Sequence, residues 1–176
     1  MQNQVKAIFN TLQEDFTKVQ ADQGLGALGE WPPQGEHDCY VTGVTIDTNA
    51  TFKESKASGG NETPGVSVQF AYQLVDDPDR EEPLAWLGAP IILPMDPKEV
   101  KSDGSQIRCR IELQRLKGHL KTLLGRDPVD MNSDIEIVKD MLERGESSVV
   151  ATVKCQYNDR GSKTFRSEFI QSLLGG

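Results

Sequence analysis

Between Val66 and Val75 apolar and polar residues alternate without a break: Val66, Val68, Phe70, Tyr72 and Leu74 against Ser67, Gln69, Ala71 and Gln73. A period of two places all five large side chains on one face, so this stretch must be a strand with one buried side. Phe70 and Tyr72 share that side with valines and a leucine and read as core. A chain committed to such a strand needs partners that bury the same face.

The partners are legible on either side. Cys39–Phe52 is rich in Val and Thr, with Tyr40, Thr42, Val44 and Ile46 read on one face and Cys39, Val41 and Thr45 on the other. Gly43 marks a bulge or bend. A third strand starts near Leu84, carries Trp86 on the same face as Leu84, and frays at Pro90 and Pro94. Ser148–Tyr157 and Ser162–Phe169 supply a fourth and a fifth, joined by a turn at Asn158-Asp159-Arg160-Gly161. Between the third and fourth, Ile107, Cys109, Ile111 and Leu113 alternate like a strand, while Leu113, Leu116, Leu120, Leu123 and Leu124 recur at helical spacing; the reading taken is a helix from about Glu112 up to Gly125, a good helix stop. A second helix follows, with Ser133 and Glu136 as its capping box and its end at Gly145. The order β-β-β-α-β-β predicts an α+β, mainly β fold: a five-stranded Greek-key barrel of the OB type, with a helical insert between strands 3 and 4.

Ahead of this body (residues 35–176) lies an N-terminal unit (residues 1–34). Val5, Phe9, Leu12, Phe16 and Val19 form an apolar seam on a helix over residues 4–21. The seam either closes one end of the barrel or makes an oligomer contact. Gly24-Leu25-Gly26 and Gly29-Glu30-Trp31-Pro32-Pro33 then form a linker, in which Trp31 either caps the core or lies exposed.

Length and charge narrow the function. The 176 residues suffice for a real core. No run approaches the roughly 18 apolar residues of a membrane span. Met1-Gln2-Asn3-Gln4 is unlike a signal peptide, so the expected compartment is the cytoplasm. Net charge is −8, unevenly spread. Residues 1–100 hold 6 Lys/Arg against 16 Asp/Glu, whereas 101–126 hold 7 against 2 and 150–167 hold 4 against 1. Local field governs the steering of an anionic ligand, because salt screens charges beyond about 10 Å.

Catalytic and metal signatures are weak. Cys39, Cys109 and Cys155 lack zinc-ligand spacing and read as buried thiols. His37 and His119 have no adjacent nucleophile pattern, and Asp76-Asp77-Pro78-Asp79 lacks the calcium-loop spacing. The expectation is a binding protein without metal or cofactor, and not an enzyme.

Single-strand binding needs cations for phosphates and flat side chains for bases. The candidates are Lys53 and Lys56 at the first hairpin, Trp86 on the third strand, and Arg110, Lys117 and Lys121 along one flank of the Leu-rich helix. Lys154, Lys163, Phe165 and Arg166 on the last hairpin complete the set. If Tyr157 faces Ser162, Lys154 falls opposite Phe165 and Gln156 opposite Lys163.

The run Gly35-Glu36-His37-Asp38-Cys39-Tyr40-Val41-Thr42-Gly43-Val44, then Phe52-Lys53-Glu54-Ser55-Lys56, then Val66-Ser67-Val68-Gln69-Phe70, resembles phage-encoded single-stranded DNA-binding proteins, as does Leu120-Lys121-Thr122-Leu123-Leu124-Gly125. The resemblance covers Gly35 to Arg126 and, more loosely, the final hairpin. It implies an OB-fold that coats single-stranded DNA, or RNA, without sequence preference during phage or mobile-element replication and recombination, in a bacterial cytoplasm. The chain departs from that pattern in lacking an acidic C-terminal tail and in its N-terminal helix. The alternative expectation is a protein-interaction or virion-assembly module built on the residue 5–19 seam as a homo-oligomer contact.

Overall fold

A computed structural model describes residues 2–18, 31–54, 60–98, 108–144, 149–160 and 163–174. The fold is α+β: the described residues form three helices and one open antiparallel sheet of six strands. The elements are α1 (Gln2–Lys18), β1 (Gly35–Lys53), β2 (Glu62–Leu74), β3 (Ala85–Leu87) and β4 (Ile91–Pro94). They continue with α2 (Arg110–Leu124), α3 (Met131–Glu143), β5 (Val149–Arg160) and β6 (Lys163–Leu174). Val19 and the Gly24–Glu30 part of the expected linker lie outside the described residues, as does Lys56.

The strands run in the order β3-β2-β1-β5-β6, with β4 also paired to β2. The long β1 belongs to two ladders. Gly35–Val41 pairs with Val149–Cys155, and Cys39–Lys53 pairs with Glu62–Leu74. The register slips between Val41 and Gly43, at the expected bulge. That slip corrects the face assignment for β1. Cys39 and Val41 before it, and Val44 and Ile46 after it, all share the side of Leu74, Tyr72, Phe70 and Val68, because one extra residue inverts the alternation. Tyr40 therefore belongs to the opposite side.

The expected third strand is two strands. Gly88-Ala89-Pro90 places three residues opposite two of β2, since Ala71 faces Leu87 and Val68 faces Ile91. The kink is held by Gly88 N–H donating to the Phe70 carbonyl at 2.8 Å and by Gln69 Nε2 donating to the Gly88 carbonyl at 3.0 Å. At the other end of β2, strands β1, β2 and β4 converge on Gly65. A Cβ there would lie 2.9 Å from Phe52 N, Leu93 O and Ile92 Cγ2. Two of those atoms are backbone and cannot swing away. Gly65→Ala is expected to lower stability by about 1–3 kcal/mol through overpacking, read as a lower urea midpoint.

Helix α1 packs against α2 and α3. Val5, Ile8, Phe9, Leu12 and Phe16 are buried in one apolar core with the strands and the other helices. The four described members of the seam, Val5, Phe9, Leu12 and Phe16, are thus buried within the chain. Asp15, buried on the same helix, accepts from Arg108 Nε at 2.7 Å, which staples α1 to the connection before α2.

Helix α2 starts at Arg110, two residues before the expected Glu112, and ends at Gly125 in the left-handed region (φ 66°). The cap of α3 is Asp130, whose carboxylate accepts from Ser133 N–H at 2.8 Å; Ser133 is the third helical residue and not the cap. Buried Asp134 then organises the α2–α3 turn, accepting from Val129 N–H at 2.7 Å, Asp130 N–H at 2.9 Å and Arg126 at 2.6 Å.

The last hairpin is longer than expected. Pairing runs to Arg160 opposite Lys163, so Lys154 faces Phe169, Gln156 faces Ser167 and Asn158 faces Phe165. The expected juxtaposition of Lys154 with Phe165 is not formed. Among the described residues no backbone ladder joins β6 to β3 or β4.

Candidate nucleic-acid interface

Alternation sorts the sheet into two walls, since residues directly opposite on neighbouring strands share a face. The inner wall faces the helices. It carries Cys39, Val41, Phe70, Tyr72, Trp86, Ile91, Val153 and Cys155, all buried.

Trp86 is on this inner wall. Its ring stacks on Tyr72, across from it on β2, at 5.3 Å and 29°, with 6% of the residue exposed. Trp86 is therefore a core residue and not an open platform for a base. Trp31 is also buried, which decides between the two placements expected for it. Pro32, beside it, accepts from the Tyr157 hydroxyl.

The outer wall is polar and mostly neutral. Tyr40, half-buried, sits between Gln73 on β2 and Val150 on β5. Around it lie Thr45 opposite Gln69, and Thr152 opposite Asp38, whose carboxylate accepts from the Thr152 hydroxyl at 3.3 Å. Lys154 lies between Glu36 and the buried Phe169. Glu36, Asp38 and Asp47 keep this wall from being a cationic track.

The other expected cations are partly committed to the fold. Lys117 donates to the Phe16 and Thr17 carbonyls at 3.4 and 3.5 Å and covers the Phe16 ring at 5.5 Å. It thus closes the negative end of the α1 dipole instead of lining a groove. Lys121 pairs with Asp127 at 2.8 Å and holds that carboxyl below its usual range. Lys53 pairs with Glu62 at 2.7 Å across the first hairpin and does the same to its carboxyl. Both pairs are exposed and open to competition by a phosphate. Arg110 is exposed at the start of α2. Arg166 lies over the Tyr157 ring at 5.6 Å. The side chains of Lys163 and Phe165 lie outside the described residues, although their backbones place them at the tip of the β5–β6 hairpin.

Burial pushes the Cys39 and Cys155 thiols up to about 12 and that of Cys109 higher still. Such thiols are inert at neutral pH. His37 Nε2 donates to the Pro33 carbonyl at 2.6 Å. Among the described residues no group of three His, Cys, Asp or Glu side chains could hold a metal ion. Among the described residues no helix is long and apolar enough to cross a membrane.

One polar cluster escaped the sequence reading because its members look like surface charges. Buried Glu168 on β6 accepts from Ala89 N–H with both oxygens, at 3.0 and 2.9 Å. Buried Arg115 on α2 donates to the Ala89 and Pro90 carbonyls, each at 3.2 Å. Side chains thus join β6 and α2 to the β3–β4 kink where no ladder does.

No family model, no curated protein and no solved structure matches this chain.

Proposed function

We propose that the protein binds single-stranded DNA without sequence preference, through an OB-like barrel whose seam between β6 and β3–β4 is bridged by side chains. The observation that carries the reading is the double use of β1. One long bulged strand pairs with β2 through its C-terminal part and β5 through its N-terminal part, and two helices intervene before β5. That path matches the strand order of OB folds and so supports the reading, since OB folds bind oligonucleotides on an outer face flanked by hairpin loops. The resemblance of Gly35–Arg126 to phage single-strand-binding proteins supports the same reading, and with it a role in replication or recombination.

The interface we assign is the outer wall and the hairpins at its margins. Tyr40 and Phe165 are the base-stacking side chains. Lys53, Lys56, Lys154 and Lys163 are the phosphate contacts, and Gln69, Gln73 and Thr45 offer neutral hydrogen-bonding groups. Few cations serve the site, so affinity should be modest and should fall with salt. Of the two competing expectations, the assembly module rested on the α1 seam, whose described residues are buried.

Anisotropy of a labelled oligo-dT at two salt concentrations tests the reading. Binding at low salt that weakens at high salt is expected. Tyr40→Ala should weaken it by about 1–3 kcal/mol, the value of one stacked base. Absence of binding at low salt would reject the proposal.

A further inference from the structure

The inner side of β1 is not covered along its whole length. Before the bulge, Cys39 and Val41 are 0% and 4% exposed; beyond it Val44 and Ile46, on the same side, are only half-buried. Helix α3 packs on β1, and α1 packs on α3. The two helices are clasped at one end. There Gln13 accepts from Met131 N–H at 2.7 Å and donates to the Val129 carbonyl at 2.9 Å, and Asn132 donates to Asn10. Beyond the clasp, the N-terminal half of α1 and the body of α3 leave, together with β1, a cleft of about 300 Å³.

Its apolar walls are Val5 and Phe9 on α1, Ile135 on α3, and Val44 and Ile46 on β1. Four of these are aliphatic. The one ring, Phe9, is 2% exposed and offers no open face for stacking. Lys6 on α1 and Lys139 on α3 line the same cleft, two cations against one carboxylate, Glu136. Both cations are weakly committed. Among the described residues Lys6 enters no ion pair, and Lys139 Nζ stands 3.7 Å from Glu143. Lys18, Lys53 and Lys121, by contrast, close on carboxylates at 2.7 or 2.8 Å.

We propose that this cleft binds a small aliphatic carboxylate, with its chain against Val5, Val44, Ile46 and Ile135 and its head group between Lys6 and Lys139. Ligand pockets combine an apolar lining with a few polar groups that orient the ligand, and they begin near this volume. At roughly 30 Å³ for each water in the liquid, the cleft matches about ten heavy atoms, the size of octanoate. Lys6 and Glu136 are exposed, so the mouth opens to solvent and the charges contribute selectivity more than strength. Val44 and Ile46 face away from the outer wall of the sheet. The site is therefore separate from the proposed DNA surface and does not rest on that reading.

The test titrates octanoate, octan-1-ol and octylammonium separately into the intact chain carrying 13C-labelled Val and Ile methyl groups. Octanoate is expected to shift the methyls of Val5, Val44, Ile46 and Ile135 saturably. It should bind more tightly than octan-1-ol, and octylammonium should bind most weakly. Lys6→Gln and Lys139→Gln should each weaken octanoate by about two- to fivefold, the worth of a solvent-exposed ion pair, and leave octan-1-ol unchanged. Their urea midpoints should match that of the native chain. Octanoate shifts that do not saturate or that centre outside the cleft would overturn the proposal. Equal affinity for the three probes would overturn it as well.

Discussion

Arg115→Met is expected to cost about 3–5 kcal/mol of folding stability, the range for removing one member of a buried charged network. The guanidinium is almost wholly buried, with burial lowering its pKa and Glu168 and Glu112 raising it. Methionine matches its length but donates nothing. The Ala89 and Pro90 carbonyls lose their donor, and Glu168 loses its nearby cation. The readout is a lower urea midpoint at unchanged slope. Arg115→Met/Glu168→Met should cost less than the sum of the single changes, since the double variant buries no orphaned charge. A cost under about 1 kcal/mol for Arg115→Met would mean that side chains do not hold the seam.

Trp86→Ala is expected to cost about 3–5 kcal/mol, the range for deleting a large buried aromatic. The indole fills space against Tyr72 inside the sheet. Its effect on DNA should be small: the folded fraction should bind oligo-dT within about twofold of the native chain, well under the 1–3 kcal/mol of a stacked base. Trp86→Phe separates the two effects further, because it keeps a ring on Tyr72 and a measurable folded population. A loss of affinity in Trp86→Phe at unchanged stability would return the residue to the ligand. The two tryptophans of the chain, Trp31 and Trp86, are 9% and 6% exposed. Stacking of bases should therefore quench little intrinsic fluorescence, which is why a labelled oligonucleotide is the better probe.

The parts of the fold that were readable in the sequence are those where one physical demand dominates. The Val66–Leu74 alternation fixed the buried side of β2, and the leucines of α2 fixed its stripe, because each face meets a single environment. The N-terminal end of β1 was missed because Glu36, His37 and Asp38 offer no apolar alternation. Its outer positions face solvent, and its pairing with β5 rests on the backbone ladder, with the Thr152 hydroxyl donating to the Asp38 carboxylate beside it. The inversion of faces after Val41 needs the bulge to be placed to the residue, which Gly43 signals only approximately.

The binding wall was less legible than the fold. Trp86 was open to either side until its register against Tyr72 was known. The last hairpin was set four residues too short in its pairing sum, because Asn158-Asp159-Arg160-Gly161 contains several good turn residues and only the first three continue the strand. Lys117 read as part of a cationic flank, but the C-terminal end of α1 arrives beside it and takes its donors. Arg115 and Glu168 looked solvated by type; only the three-dimensional convergence of α2, β6 and the β3–β4 kink makes them interior. Asp130, three residues ahead of Ser133, is the α3 cap, because its carboxylate is the side chain placed to accept the Ser133 N–H.

A single-stranded ligand is expected to lie across the outer wall of the sheet. An amide-detected NMR titration with unlabelled oligo-dT at low salt tests that most directly. The expected shifts centre on Tyr40, Thr45, Gln69, Gln73 and Thr152 and extend into the first and last hairpins, with α1 and α3 unmoved. Shifts confined to the helices, or none at saturating oligonucleotide, would contradict it.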